Sequence, residues 1–289
     1  MTQPLPLLTI AGSDSGGAAG LQADLKTWAA LGGYGMSAVT AITAQNSARV
    51  AAIHYLPPAM VAAQIDAVLS DYGAVAIKTG FLGRVEIIAV VAERLAYWRR
   101  EGGLASRGGL ATRPTIVIDP VLVNHRGEAM FGPEMATAYR ALLFPLADIV
   151  TPNAAEAALL GRAIDGRRTP DHGQEGDLDG PEAVARRLSS VVPRLLVKGA
   201  SHTADTISDV YWEGEQRLEL PQPRLDTTNT HGSGDSLAAA ICFYVAQGHA
   251  WLDAIRRAQA FTQAAIGRGA AWRLGAGHGP IWHANDERG

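Results

Sequence analysis

The chain holds a single cysteine, Cys242, among its 289 residues. One thiol cannot build a disulfide framework or a multi-cysteine zinc site, and it fits a reducing compartment. An excess of one charge is also missing: 25 Lys plus Arg stand against 28 Asp plus Glu, a formal net charge of −3. A protein held to nucleic acid by counterion release carries a basic excess, so this balance argues against that partner. Gly, Pro or a charged residue interrupts each apolar run well short of the ~20 residues that a membrane-spanning helix needs. The first residues, MTQPLPLLTIAG, lack the basic region of a secretory signal. Disorder is excluded as well, because 47% hydrophobic and 18% charged residues make an ordinary globular balance. These absences leave a cytoplasmic protein with neither a membrane nor a nucleic-acid partner, acting on small molecules. It reads as one domain over residues 1–289, near the ~250–300 residues at which single cores stop growing.

Glycine is what the chain has in excess: 32 of 289 residues, about 11% against a background of roughly 7%. Most of it falls at junctions between apolar runs, where it permits positive φ or close approach to a ligand. Between the junctions, short apolar runs alternate with helical periodicity, the pattern of a mostly parallel sheet with helices on both faces. Strands are expected at 7–11, 36–43, 74–79, 115–119, 149–150 and 194–198, with a strand pair at 206–212 and 216–220. Helices are expected at 19–31, 58–71, 85–99, 133–143, 154–160, 181–190, 236–247 and 252–267. In the first helix Leu21, Leu25 and Trp28 form the apolar stripe, and Asp24 and Lys26 are placed off it. Two stretches, 101–113 and the polar 165–180, read as mobile surface insertions.

Ligands of such sheets bind beyond the carboxyl ends of the strands, so the residues just after each strand matter most. Here they are polar: Ser13-Asp14, Gln45-Asn46, Asp119, Asn153 with Glu156, and Lys198. The strongest local signal is TTNTHGSGDS, residues 227–236, leading into an apolar helix. Gly232, Ser233 and Gly234 at a helix start gather free N–H groups and the positive dipole end, an anion-binding arrangement. Asp235 stands beside it, either as a general base for a substrate hydroxyl or as a plain helix-start acid. Gly12 to Gly20 form a second cluster, but its spacing is neither the dinucleotide fingerprint nor a P-loop. Asn153 and Glu156 suit a capping box; with Asp119 they also offer the oxygen ligands that Mg²⁺ takes through water. Lys198 supplies a point charge for phosphate. His231 and His278 read as loop residues, and Cys242 as a buried hydrophobe.

Taken in order, TIAGSDSGGAAGLQADLKTWAALGGYGMSAVTAITAQNS, IKTGFLG, VIDPVLV, TPNAAEA, VKGA, THGSGDSLAAA and GAGHGP resemble the blocks of the hydroxymethylpyrimidine/phosphomethylpyrimidine kinases of thiamine biosynthesis. The resemblance spans essentially the whole chain, and its GSGD block is shared by the wider ribokinase-like superfamily. It implies a ribokinase-like three-layer α/β sandwich that moves the γ-phosphoryl of ATP, with Mg²⁺, onto the hydroxymethyl group of 4-amino-5-hydroxymethyl-2-methylpyrimidine and then onto the monophosphate. A homodimer is implied as well. By position, Gly12, Asp24, Gln45 and Phe81 match the pyrimidine site. Asn153, Lys198 and Thr230 match the nucleotide side, Asp119 and Glu156 the magnesium region, and Gly232, Ser233, Gly234 and Asp235 the anion hole and base. Two positions depart from the family. Asp235 stands where many bacterial members carry Cys, and the flap usually reading Lys-Ser-Gly-Asp is Asn124-His125-Arg126-Gly127-Glu128. An aspartate facing a phosphorylated substrate is repulsive by about 1–4 kcal/mol at 4 Å, which His125 and Arg126 are expected to offset. The rival readings are a pyridoxal/pyridoxine kinase and a pyrimidine-binding protein without chemistry.

Overall fold

The computed structural model describes residues 3–100, 113–124, 127–162 and 181–284. The insertion 165–180, the flap residues His125 and Arg126, and all of 101–113 except Arg113 lie outside the described residues. Among the described residues nine strands form one sheet: β1 (Pro6–Ser13), β2 (Tyr34–Gln45), β3 (Val50–Tyr55), β4 (Ala76–Thr79), β5 (Thr115–Ile118), β6 (Ile149–Val150), β7 (Arg194–His202), β8 (Thr206–Glu213) and β9 (Gln216–Pro223). Their spatial order is β3-β2-β1-β4-β5-β6-β7-β8-β9. The six strands from β2 to β7 in that order run parallel, and β3, β8 and β9 add antiparallel edges. The chain leaves β1 toward β2 and returns to β4 on its other side, which makes the β1/β4 seam the point where ligands of open α/β sheets bind.

Helices cover both faces, as the alternation of apolar runs predicts. Successive strand residues point to opposite faces, so Leu7 and Ala76 pack under α1 (Gly20–Leu31), α7 (Ser233–Ala246) and α8 (Trp251–Gly269). Leu8, Ile10 and Ile77 pack on the other side, under α2 (Pro58–Asp71), α3 (Val85–Arg100), α4 (Pro133–Ala138), α5 (Ala154–Arg162) and α6 (Pro181–Ser189). Trp28 of α1, wholly buried, donates its indole N–H to Ala239 O of α7 at 2.8 Å and locks those two helices together. Cys242 is buried in the same layer, as its sequence context predicts. No helix among the described residues is long and apolar enough to cross a membrane.

Three local features differ from the sequence expectation. Strand β3 was not anticipated, because five of its six residues are exposed and so show no alternation. The helix expected at 133–143 stops at Ala138 and continues as a π turn over Tyr139–Leu143 and a 3₁₀ turn over Phe144–Leu146. Pro145 has no N–H with which to extend it. Asp24, placed off the apolar stripe of α1, lies on the buried face with Leu21 and Trp28. It falls three residues after the one and four before the other, the spacing that shares a helix face.

Candidate active site

At the carboxyl ends of the strands a cavity of about 490 Å³ opens. Helix α7 starts on its wall. Gly232 holds φ +83°, and a Cβ there would come within 1.8 Å of Ala18 O, so only glycine lets this turn press against the β1–α1 loop. The N–H of Ser233 is spent on Thr230 O at 3.1 Å. Those of Gly234 and Asp235 have no acceptor among the described residues, which leaves two donors at the positive end of the helix.

Asp235 is 16% exposed, and one carboxylate oxygen accepts the Gly20 N–H at 3.2 Å. Its other oxygen lies 3.3 Å from Lys78 Nζ. Burial alone pushes the Asp235 carboxyl up, but the ammonium groups of Lys78 and then Lys198 reverse this and hold it below the usual carboxylate range. The residue therefore stands ionised at neutral pH.

Across the cavity, Lys198 leaves β7 and pairs with Asp119 Oδ1 at 2.6 Å. Its ammonium lies over the start of α7, 3.3 Å from where a Cβ on Gly234 would be. Asn153 and Glu156 form the expected capping box at the start of α5: each side chain accepts the other's N–H at 2.9 Å. The second Glu156 oxygen accepts the Leu122 N–H at 3.1 Å. Burial, reinforced by Asp119 and opposed by Lys198, pushes the Glu156 carboxyl up to about 7.

The apolar end is built by Phe81, which stacks on Tyr55 with ring centroids 6.3 Å apart and packs against Phe131 at 5.9 Å. Gly12 is glycine because a Cβ would lie 2.8 Å from the Phe81 ring. Gln45 closes this end, with Nε2 3.4 Å from His231 Nε2.

Of the residues singled out from sequence, the cavity gathers Gly12, Gln45, Phe81, Asp119, Asn153, Glu156, Lys198, Thr230 and the run Gly232 to Asp235. Asp24 is the exception and a correction. It is wholly buried, does not line the cavity, and is engaged by Thr9 Oγ1 at 2.6 Å and by Lys78 at 2.7 Å. Its carboxyl has no face to offer a pyrimidine. Asp14 lines the cavity, but its oxygens accept the N–H groups of Gly16, Ala18 and Ala19, which folds the loop.

Sequence reasoning missed three residues. His231 and His278, expected as plain loop residues, both line the cavity, with His278 Nε2 2.8 Å from Thr230 Oγ1. The C-terminal glycine segment brings His278 there, its N–H bonding Ser47 O at 3.0 Å. Lys78, wholly buried behind Asp235, was also passed over. A lysine inside the apolar run AVAIKT is the signal that marks it.

A mostly parallel sheet between two helical layers, with a glycine-capped helix start and an acid at its strand ends, defines a ribokinase-like kinase. The solved structures agree. The pyridoxal kinase of Staphylococcus aureus in complex with AMP-PCP superposes at TM-score 0.80 with 31% identity, covering 99% of this chain and 96% of that one. The phosphomethylpyrimidine kinase of Clostridium difficile superposes at TM-score 0.70 with 32% identity, covering 91% and 99%. The family model described as phosphomethylpyrimidine kinase matches residues 14–282, and the chain belongs to that family. A hydroxymethylpyrimidine/phosphomethylpyrimidine kinase of Rhizobium meliloti is 42% identical over 277 residues, 96% of each chain.

Proposed function

We propose that this chain phosphorylates 4-amino-5-hydroxymethyl-2-methylpyrimidine from ATP, first on the hydroxymethyl oxygen and then on the resulting monophosphate. The observation that carries the reading is Asp235, ionised and facing the cavity beside the unused N–H groups of Gly234 and Asp235 itself. In the first step the alcohol oxygen attacks the γ-phosphorus as Asp235 takes its proton; the bond to the bridging oxygen breaks and ADP leaves. The helix-start amides and Lys198 stabilise charge on the transferring group. Gln45, Phe81 and Gly12 hold the ring, and Asn153 and Thr230 flank the nucleotide.

Asp119 and Glu156 suit Mg²⁺, since both are oxygen donors on the cavity wall. Both hydrogen bonds to Asp119, from Lys198 and Thr151, fall on Oδ1, which leaves Oδ2 without a donor among the described residues. When bound, the ion neutralises the β- and γ-phosphate oxygens. The same reading takes the protein as a cytoplasmic homodimer. Light scattering of the purified protein tests the dimer.

A second reading, phosphorylation of pyridoxal, is favoured by the superposition on the Staphylococcus aureus enzyme. A mass-resolved time course with Mg-ATP and each alcohol in parallel decides between them. Successive mono- and diphosphate of the pyrimidine supports the first reading, and consumption of pyridoxal alone replaces it with the second.

A further inference from the structure

Lys78 has no exposed surface. Strand alternation puts it on the same face as Ala76, under α1 and α7, where an unpaired ammonium would carry a heavy desolvation cost. It is paired on both sides, 2.7 Å from Asp24 Oδ1 and 3.3 Å from Asp235 Oδ1. Thr9, its register partner on β1, donates to the other Asp24 oxygen at 2.6 Å. The three charges thus form a row from the sealed interior to the cavity wall. Side-chain exposure along it is 0% at Asp24, 0% at Lys78 and 16% at Asp235. Only the last touches the cavity, so the first two act on a substrate solely through it.

We propose that Lys78, anchored by Asp24, is a positioning residue that holds the Asp235 carboxylate in one orientation and offsets its charge where an anionic acceptor approaches. The kinetic part rests on the function proposed above. Asp235 is faced by Lys78 from β4, Lys198 from β7, Asp24 and the first N–H, that of Gly20, from α1, and His283 from the C-terminal segment. Lys78 is the nearest cation of this set. Burial pushes this carboxyl up, toward the protonated form that cannot act as a base, and the Lys78 ammonium is the strongest influence opposing it.

The two phosphorylations use this row differently. The alcohol gives its proton to Asp235 as its oxygen bonds phosphorus and ADP leaves. The monophosphate attacks through an oxygen already without a proton, so there Asp235 contributes only charge, and the Lys78 ammonium counters it. An aspartate is thereby tolerated at a position that must face phosphate.

The test is the variant Lys78→Met combined with Asp24→Asn, which leaves no deeply buried carboxylate alone. Carbon-13 spectra of the labelled Asp235 carboxyl, followed against pH in the free enzyme, are expected to show the midpoint rising by at least about one unit. At pH 7 the first kcat is expected to fall about tenfold or more with the alcohol's KM within about threefold, while KM for the monophosphate changes from wild type. An unmoved midpoint, or equal losses in both steps with no change in the pH profile, overturns the proposal. Should the double variant fail to fold, Asp24→Asn alone keeps both remaining charges but frees the ammonium; kcat is then expected to drop about three- to tenfold, and an unchanged kcat overturns the anchoring. Because the midpoint is read without substrate, a wild-type enzyme that phosphorylates neither step of the pyrimidine counts against the proposed function and not against the Lys78 assignment.

Discussion

Lys198 Nζ sits 2.6 Å from Asp119 Oδ1, joining the middle of β7 to the residue just beyond β5 across the width of β6. The pair fixes a cation over the start of α7, beside the amides that would receive a transferring phosphoryl group. Lys198→Met is expected to raise KM for ATP and to lower kcat about 10²–10³-fold, the range seen when one transition-state donor is lost. Initial rates across an ATP titration check it; an ATP KM and kcat both at wild-type values would remove Lys198 from the nucleotide side.

Asp235→Asn keeps the shape of the side chain and an oxygen that can accept the Gly20 N–H, but it cannot take up a proton. The first phosphorylation is expected to slow about 10²–10⁴-fold, with ADP affinity by calorimetry within about threefold of wild type. The second, which removes no proton, should slow far less. Equal slowing of both steps would mean that Asp235 orients the acceptor and does not act as a base.

Gly232→Ala attacks the helix start from the backbone. The positive φ costs about 1–3 kcal/mol for a residue with a side chain, and the added Cβ meets Ala18 O. Melting should fall accordingly, and turnover should fall further than melting implies, because the β1–α1 loop and α7 can no longer meet. A variant with normal turnover would show that the anion hole tolerates a different backbone path.

Much of this was legible in the sequence. The parallel strands showed as apolar runs because both faces are buried, and the helix start at Gly232 to Asp235 showed because only glycine suits its backbone. The Asn153–Glu156 capping box was readable from three-residue spacing. What could not be read was contact between distant elements. Asp24 looked like a ligand group from its side chain, yet its partner Lys78 arrives from another strand, and only the β1/β4 register puts them together. His278 sits in the cavity because the C-terminal segment folds onto Ser47, which no local pattern encodes. Strand β3 was invisible because an exposed edge carries no burial alternation.

Gln45 and Asp24 separate ring binding from scaffold. Gln45 lines the cavity beside Phe81, so Gln45→Ala is expected to raise KM for the pyrimidine alcohol about tenfold or more, the cost of about one lost hydrogen bond to a substrate, with little change in melting temperature. Asp24→Asn is expected to do the reverse, lowering stability while leaving that KM near wild type. Steady-state kinetics and thermal melts on the two variants check both halves, and a raised pyrimidine KM in Asp24→Asn would return Asp24 to the substrate site.

His283 supplies a pH dependence outside the catalytic groups. It is buried, with Nε2 2.7 Å from Ser236 Oγ, and burial, with Lys26 and Arg268 adding, pushes its pKa down from 6.5 to about 4. In the unfolded chain the imidazole titrates near its ordinary value, so between those two pH values the unfolded state binds more protons. Stability is therefore whole above about pH 6.5 and is lost as pH falls toward 4, at up to about 1.4 kcal/mol per unit. His283→Gln keeps a polar partner for Ser236 but cannot titrate. Urea unfolding at pH 7, 5.5 and 4.5 should show the wild type losing about 2 kcal/mol more than the variant over that span. Parallel losses in the two proteins would mean that acid destabilisation comes from the carboxylates, and that the imidazole is charged or solvated in the folded state.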